Sequence, residues 1–146
     1  QKIITYPFTA TSGGVGPKLR EGDRQIPEGV YRIVFLNPNS SYHLSLKLNY
    51  PNDFDKSMAA QDGRTNPGSN IFLHGKAATI GCIPVGDPAI EEIFWLVHEV
   101  GIQQVDVIIA PLDFRTGAER PQIPGISWAP LLYDTIEQAL KPFHAS

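Results

Sequence analysis

The chain has 146 residues and a mass of 16.1 kDa, which is one domain's worth, residues 1–146, and long enough to bury a core without staples. Charged residues make up 18% and apolar residues 42%, with a formal charge of −3, a balance that supports a packed core and excludes disorder. The 13 glycines and 13 prolines argue against a coiled coil or helix bundle, and an isoelectric point near 5.7 leaves no basic surplus for nucleic acid or an anionic membrane.

Residues 2–8 read as a first strand. Residues 29–36 (GVYRIVFL) are β-branched or aromatic at nearly every position and read as a more central one. Over residues 42–48, Tyr42, Leu44, Leu46 and Leu48 fall on one face, with His43, Ser45 and Lys47 on the other. Residues 51–69 show no periodicity and read as a long loop, a feature that is unusual inside a compact domain and often functional. Residues 70–74 form the next strand, Ile71 and Leu73 facing one way, Phe72 and His74 the other. The strand pattern stops at Gly75, and Gly81, Cys82, Pro84 and Gly86 lead into a helix. Asp87 is the expected cap of that helix, with Pro88 in the first turn and Glu91 and Glu92 near its positive end. Ile90, Ile93, Phe94 and Val97 keep helical spacing up to a stop at Gly101. Residues 105–110 make another strand, and residues 111–126 a second aperiodic stretch. Residues 130–141 make a second helix with Leu132, Ile136 and Leu140 on one stripe. The expectation is a mainly β domain with two short peripheral α-helices. The longest apolar run, residues 93–97, is far short of a membrane span. A start at Gln1, without methionine or apolar leader, reads as a processed or trimmed chain.

Cys82 is the single cysteine, so an intrachain disulfide and a cysteine-rich zinc site are excluded. A histidine at a strand end and a cysteine at a following turn can fold back into contact. That pairing suits a nucleophile, because a free thiol with a pKa of about 8.5 is mostly protonated at neutral pH until an imidazole takes its proton. Gly81 removes a side chain where a substrate carbonyl must approach, and the N–H groups of Gly81 and Cys82 can face a developing oxyanion. Thr79 can hydrogen-bond across the same turn. A lone cysteine is more often a small buried hydrophobe; the ordered set of strand, His-Gly, short turn, Thr-x-Gly-Cys and helix start favours chemistry. Other motifs fail. His98-Glu99 meets Ile102 where a zinc helix needs a second histidine, and Gly75-Lys76 lacks the rest of a P-loop. Gly14-x-Gly16 runs into Pro17, and neither G-x-S-x-G nor S-x-x-K is present. Trp95 and Trp128 read as core residues.

The stretch HGKAATIGCIPVGDPAIEEIF resembles the catalytic segment of the L,D-transpeptidase (YkuD-type) domain, and within it the YafK-like branch. His74, Gly75, Thr79, Gly81 and Cys82 match the family core, and IPEGVYRI and YHLSLKLNYPNDFD resemble its upstream strands. Ile80 stands where many members carry a second histidine, and Pro84 where many carry an arginine or asparagine. The resemblance implies a β-sandwich or barrel-like catalytic domain that needs no cofactor or metal. It implies that Cys82 attacks a diaminopimelate carbonyl in a peptidoglycan stem peptide and that His74 serves as base and then acid. The Gly75 carbonyl would orient the imidazole, and the thioester would pass to an amine. Passage to water would make the protein a hydrolase, either an L,D-carboxypeptidase or an amidase releasing an anchored lipoprotein. A non-catalytic peptidoglycan-binding module is the alternative of another class. Stem-peptide carboxylates call for a cation, with Arg64, Arg115 and Lys76 as candidates. An exported location, in the periplasm or cell envelope, follows from the substrate.

Overall fold

In the computed structural model, residues 2–8, 13–40, 43–76 and 82–143 are described. They form one curled five-stranded sheet, a half-barrel, with three α-helices. The strands are β1 (Gly29–Ser40), β2 (His43–Leu48), β3 (Phe72–His74), β4 (Ile83–Pro84) and β5 (Asp106–Ile109). Their order across the sheet is β4-β3-β2-β1-β5. All neighbours are antiparallel except β3 and β4, which run parallel.

The two-residue alternation expected of β2 is met at Leu46 and Leu48, both buried on the core side. On β1 the register against β2 shifts twice, between Ile33 and Phe35 and between Asn37 and Ser40. Ile33 pairs with Leu48 while Phe35 pairs with Lys47, so β1 carries one extra residue there. The resulting bulge turns two consecutive side chains outward, Val34 at 49% exposure and Phe35 at 54%.

The expected strand at residues 2–8 has no ladder partner among the described residues. Its period-two pattern reflects one-sided burial of an extended segment instead. Tyr6 and Phe8 pack against the core, and the Tyr6 hydroxyl donates to Glu92 Oε1 at 2.9 Å. The stretch expected to be loop at residues 51–69 contains a helix, α1 (Asp53–Gln61). Its apolar pattern is weak, with only Asp55 and Ala59 buried. A capping box fixes it: Asn52 Oδ1 accepts from Asp55 N at 2.9 Å, and Asp55 Oδ2 accepts from Asn52 N at 3.1 Å. The second aperiodic stretch, residues 111–126, is irregular apart from a short 3₁₀ turn, Phe114–Thr116.

Both expected helices are present as α2 (Asp87–Val100) and α3 (Ala129–Leu140). α2 lies on β2 and β3 and buries Ile90 and Val97; α3 lies on β1 and β5 and buries Leu132, Tyr133, Ile136 and Leu140. The core therefore forms two clusters. One joins the sheet to α2, and the other joins α3 to Trp128 and Phe114, with Phe54 and Met58 of α1 packed on it. Trp128 is buried as expected, whereas Trp95 is exposed on α2 and stacks on the His98 ring.

Two buried carboxylates pin these layers together. Glu28 accepts from the Tyr133 hydroxyl at 2.7 Å and from Gly16 N at 3.1 Å. Asp55 accepts from the Tyr31 hydroxyl at 2.9 Å, tying α1 to β1. Burial pushes Asp55 up to about 6, against the opposing pull of its hydrogen bonds to Asn52 and Tyr31. A carboxyl that binds its proton more tightly folded than unfolded stabilises the fold below its free value near 3.8 and loses that contribution as pH rises through about 6. Urea unfolding should therefore show wild type losing on the order of 1–3 kcal/mol between pH 4 and pH 7.5 relative to Asp55→Asn. Equal pH slopes in the two proteins would refute this assignment.

Candidate active site

The candidate site lies where β3 and β4 run side by side. His74 ends β3 and pairs with Pro84 of β4, and Val85 N donates to His74 O at 3.1 Å. Gly75 N donates to Leu44 O at 3.2 Å, so the backbone of His74 is held from both neighbouring strands. The imidazole is 2% exposed. Its Nδ1 lies 2.6 Å from Gly75 O. A carbonyl oxygen only accepts, so Nδ1 carries the proton in that bond, which makes Nε2 the acceptor nitrogen whenever the ring is neutral.

Cys82 immediately precedes β4. Leu73 pairs with Ile83 and His74 with Pro84, so the register extended by one residue sets Cys82 beside Phe72. Side chains alternate along a strand, and paired residues of parallel neighbours share a face. Were that alternation carried one residue beyond β4, Cys82 would share a sheet face with His74, one strand across. It is half-buried, and its Sγ lies 3.8 Å from Asn70 O. Asn70 has a φ of 57°, which keeps it out of the strand expected to begin there; β3 starts at Phe72.

Thr79 and Gly81 fall outside the described residues. Lys76 is the predicted cation that the fold sets at this turn, with its side chain exposed. Arg64 and Arg115 are held elsewhere. Arg64 follows α1, donates to Leu19 O and to Asp62 Oδ2 at 3.1 Å, and lies over the Trp128 ring. Arg115 grips Asp113 Oδ2 at 2.8 Å and reaches Thr5. Each arginine is held by an aspartate two residues before it, which ties both into the side of the fold built by α1, α3 and the 3₁₀ turn.

Asp87 also departs from its expected role. The N-cap of α2 is Gly86, which makes no side-chain cap bond. Asp87 sits one residue further in, and its Oδ1 accepts from Lys76 N at 2.9 Å. The sequence signal for this contact was only an acidic residue next to a glycine, which reads equally well as a cap. Among the described residues, no cluster of histidine, cysteine and carboxylate side chains is arranged to hold a metal ion.

This arrangement sits within a known family frame. The model of the YkuD L,D-transpeptidase catalytic domain matches residues 1–109, and the chain belongs to that family. It is 31% identical over 152 aligned positions to YafK of Escherichia coli (strain K12), a provisionally named L,D-transpeptidase, covering 97% of this chain and 59% of that protein. The match to YafK of Escherichia coli O157:H7 has the same identity and coverage. The chain thus spans about 59% of the length of these relatives. Among solved structures, it is similar to a mutant of the helical cell shape determining protein Pgp2 from Campylobacter jejuni. That likeness has a TM-score of 0.50 and 24% identity, covers 89% of this chain and 44% of that one, and supports the fold.

Because Cys82 is half-buried and the single thiol, a maleimide reagent should add one equivalent to the native protein at neutral pH. Mass spectrometry reads the adduct, and labelling seen only in denaturant would contradict the exposure described here.

Proposed function

We propose that this chain is a cysteine-dependent L,D-transpeptidase unit of the bacterial envelope, acting on peptidoglycan stem peptides through a thioester on Cys82. The observation that supports this reading is the His74 Nδ1 bond to Gly75 O, on a strand paired with the one that Cys82 immediately precedes.

In the first half-reaction, His74 Nε2 takes the Cys82 thiol proton and Sγ attacks the carbonyl on the L-centre of diaminopimelate. The C–S bond forms, the C–N amide bond breaks, and the imidazolium passes its proton to the leaving amine. Backbone N–H groups at Gly81 and Cys82 stabilise the oxyanion, a contribution of about 2.7–4 kcal/mol per donor in comparable sites. In the second half-reaction an acceptor amine gives a proton to Nε2, forms the new amide and releases the thiolate. The carbonyl of Gly75 takes the place of the carboxylate that orients histidine in a serine triad. Thr79 and Lys76 border the same turn in sequence, and Lys76 is suited to a stem-peptide carboxylate.

Partial exposure of Cys82 favours a second reading, in which water replaces the acceptor amine. The protein is then a hydrolase of the same substrate, either an L,D-carboxypeptidase or an amidase that frees an anchored lipoprotein from diaminopimelate. Both readings put the protein in the periplasm or cell envelope. No helix among the described residues is long and apolar enough to cross a membrane.

Incubation with purified muropeptides, followed by mass spectrometry, tests the reading. Cross-linked dimers support transpeptidation, and shortened peptides or released lysine-containing remnants support hydrolysis. Cys82→Ser and His74→Ala should each lower turnover by at least about 100-fold. Unchanged muropeptides with wild type, together with an unreactive thiol, would leave the non-catalytic wall-binding module as the better account.

A further inference from the structure

The peptide group joining Gly75 to Lys76 is gripped at both ends. Its carbonyl oxygen receives His74 Nδ1 at 2.6 Å, and its N–H donates to Asp87 Oδ1 at 2.9 Å. We propose that Asp87 is a positioning residue for His74 and acts through this shared peptide group, forming a carboxylate–peptide–imidazole relay. The proposal rests on the reading of His74 and Cys82 given above, and it adds the residue that orients their orienter.

The geometry carries it in three ways. A peptide group is planar, so fixing the direction of its N–H also fixes the direction of its C=O. Holding Lys76 N therefore holds the acceptor that sets the imidazole ring. Next, the preceding peptide group, His74–Gly75, is already fixed by the sheet at both ends, through Gly75 N on Leu44 O and Val85 N on His74 O. The Gly75–Lys76 group is where the chain leaves the sheet, with Lys76 at a φ of 58°, a conformation that residues other than glycine rarely adopt. Asp87 supplies the anchor at that point. Finally, the N-cap of α2 is Gly86 with no side-chain cap bond, so the Asp87 carboxylate reaches out of its own helix to the turn.

The chemistry follows from polarisation. A hydrogen bond from the N–H to a carboxylate shifts electron density toward the carbonyl oxygen of the same peptide group. That oxygen becomes a better acceptor for Nδ1–H, which favours the imidazolium formed when Nε2 takes the thiol proton. In a serine triad the aspartate bonds the imidazole directly; here one peptide group stands between them.

The test compares wild type, Asp87→Asn, Asp87→Ala and Cys82→Ala on purified muropeptides, with thermal melting to check folding and NMR detection of the His74 Nδ1 proton. Asp87→Asn keeps an oxygen for Lys76 N and removes the charge. It should lower kcat about 3–10-fold with KM unchanged and move the Nδ1 proton resonance upfield. Asp87→Ala should lower kcat about 10–100-fold. In the folded Asp87→Asn protein, an unmoved resonance overturns the relay whether or not kcat falls, and so does an effect confined to KM. If wild type proves as inactive as Cys82→Ala, the parent reading falls, and the resonance by itself decides the relay: a shift upholds it and no shift overturns it.

Discussion

The structure depends on one short parallel pairing. β3 and β4 lie side by side with only residues 75–82 between them, where parallel neighbours ordinarily need a crossover of a dozen residues or more. The bond from Val85 N to His74 O closes this pairing. It brings the end of one strand and the start of the next to a single point on the sheet, and α2 begins directly afterwards with Ile90 buried beneath it. The left-handed turn at Lys76 and the reach of Asp87 back to it are both consequences of leaving and re-entering the sheet over so short a path.

Polar groups inside the fold follow a consistent rule. Burying a carboxylate is costly unless donors meet it, and Glu28 and Asp55 each have a tyrosine hydroxyl and a backbone N–H. Each therefore ties a segment with little apolar surface to the core: the residues around Gly16 in one case and α1 in the other. Lys18, also buried, is met by Asp23 at 2.6 Å and by Arg20 O at 3.1 Å. Arg64 plays a similar part by joining Leu19, Asp62 and Trp128.

What could be read in the sequence was what apolar spacing encodes. Leu46 and Leu48 on β2, Ile90 and Val97 on α2, and Leu132, Ile136 and Leu140 on α3 all sit at positions that burial requires. α1 escaped that reading because a capping box and a tertiary bond to Tyr31 hold it, rather than an apolar stripe. Residues 2–8 misled for the opposite reason, since one-sided burial of an extended segment imitates a strand without any ladder. At the site, His74, Gly75 and Cys82 were legible as an ordered motif. The partner of Asp87 was not, because it lies 11 residues away and is reached only once β4 has folded against β3. The arginines show the limit of reading charge alone: Arg64 and Arg115 each find an aspartate two residues away, a pairing that loop geometry decides.

The placement of Pro84 has a consequence for self-association. Among the described residues β4 is an outermost strand of the sheet, and an open strand border invites another chain to add on by backbone pairing. The bond from Val85 N to His74 O points the Val85 N–H toward β3, so the ring nitrogen of Pro84, itself fully buried, faces away from that strand. At that position an added strand would need an N–H that proline lacks. With β4 only two residues long, both buried and one of them proline, it offers an added strand little backbone to pair with.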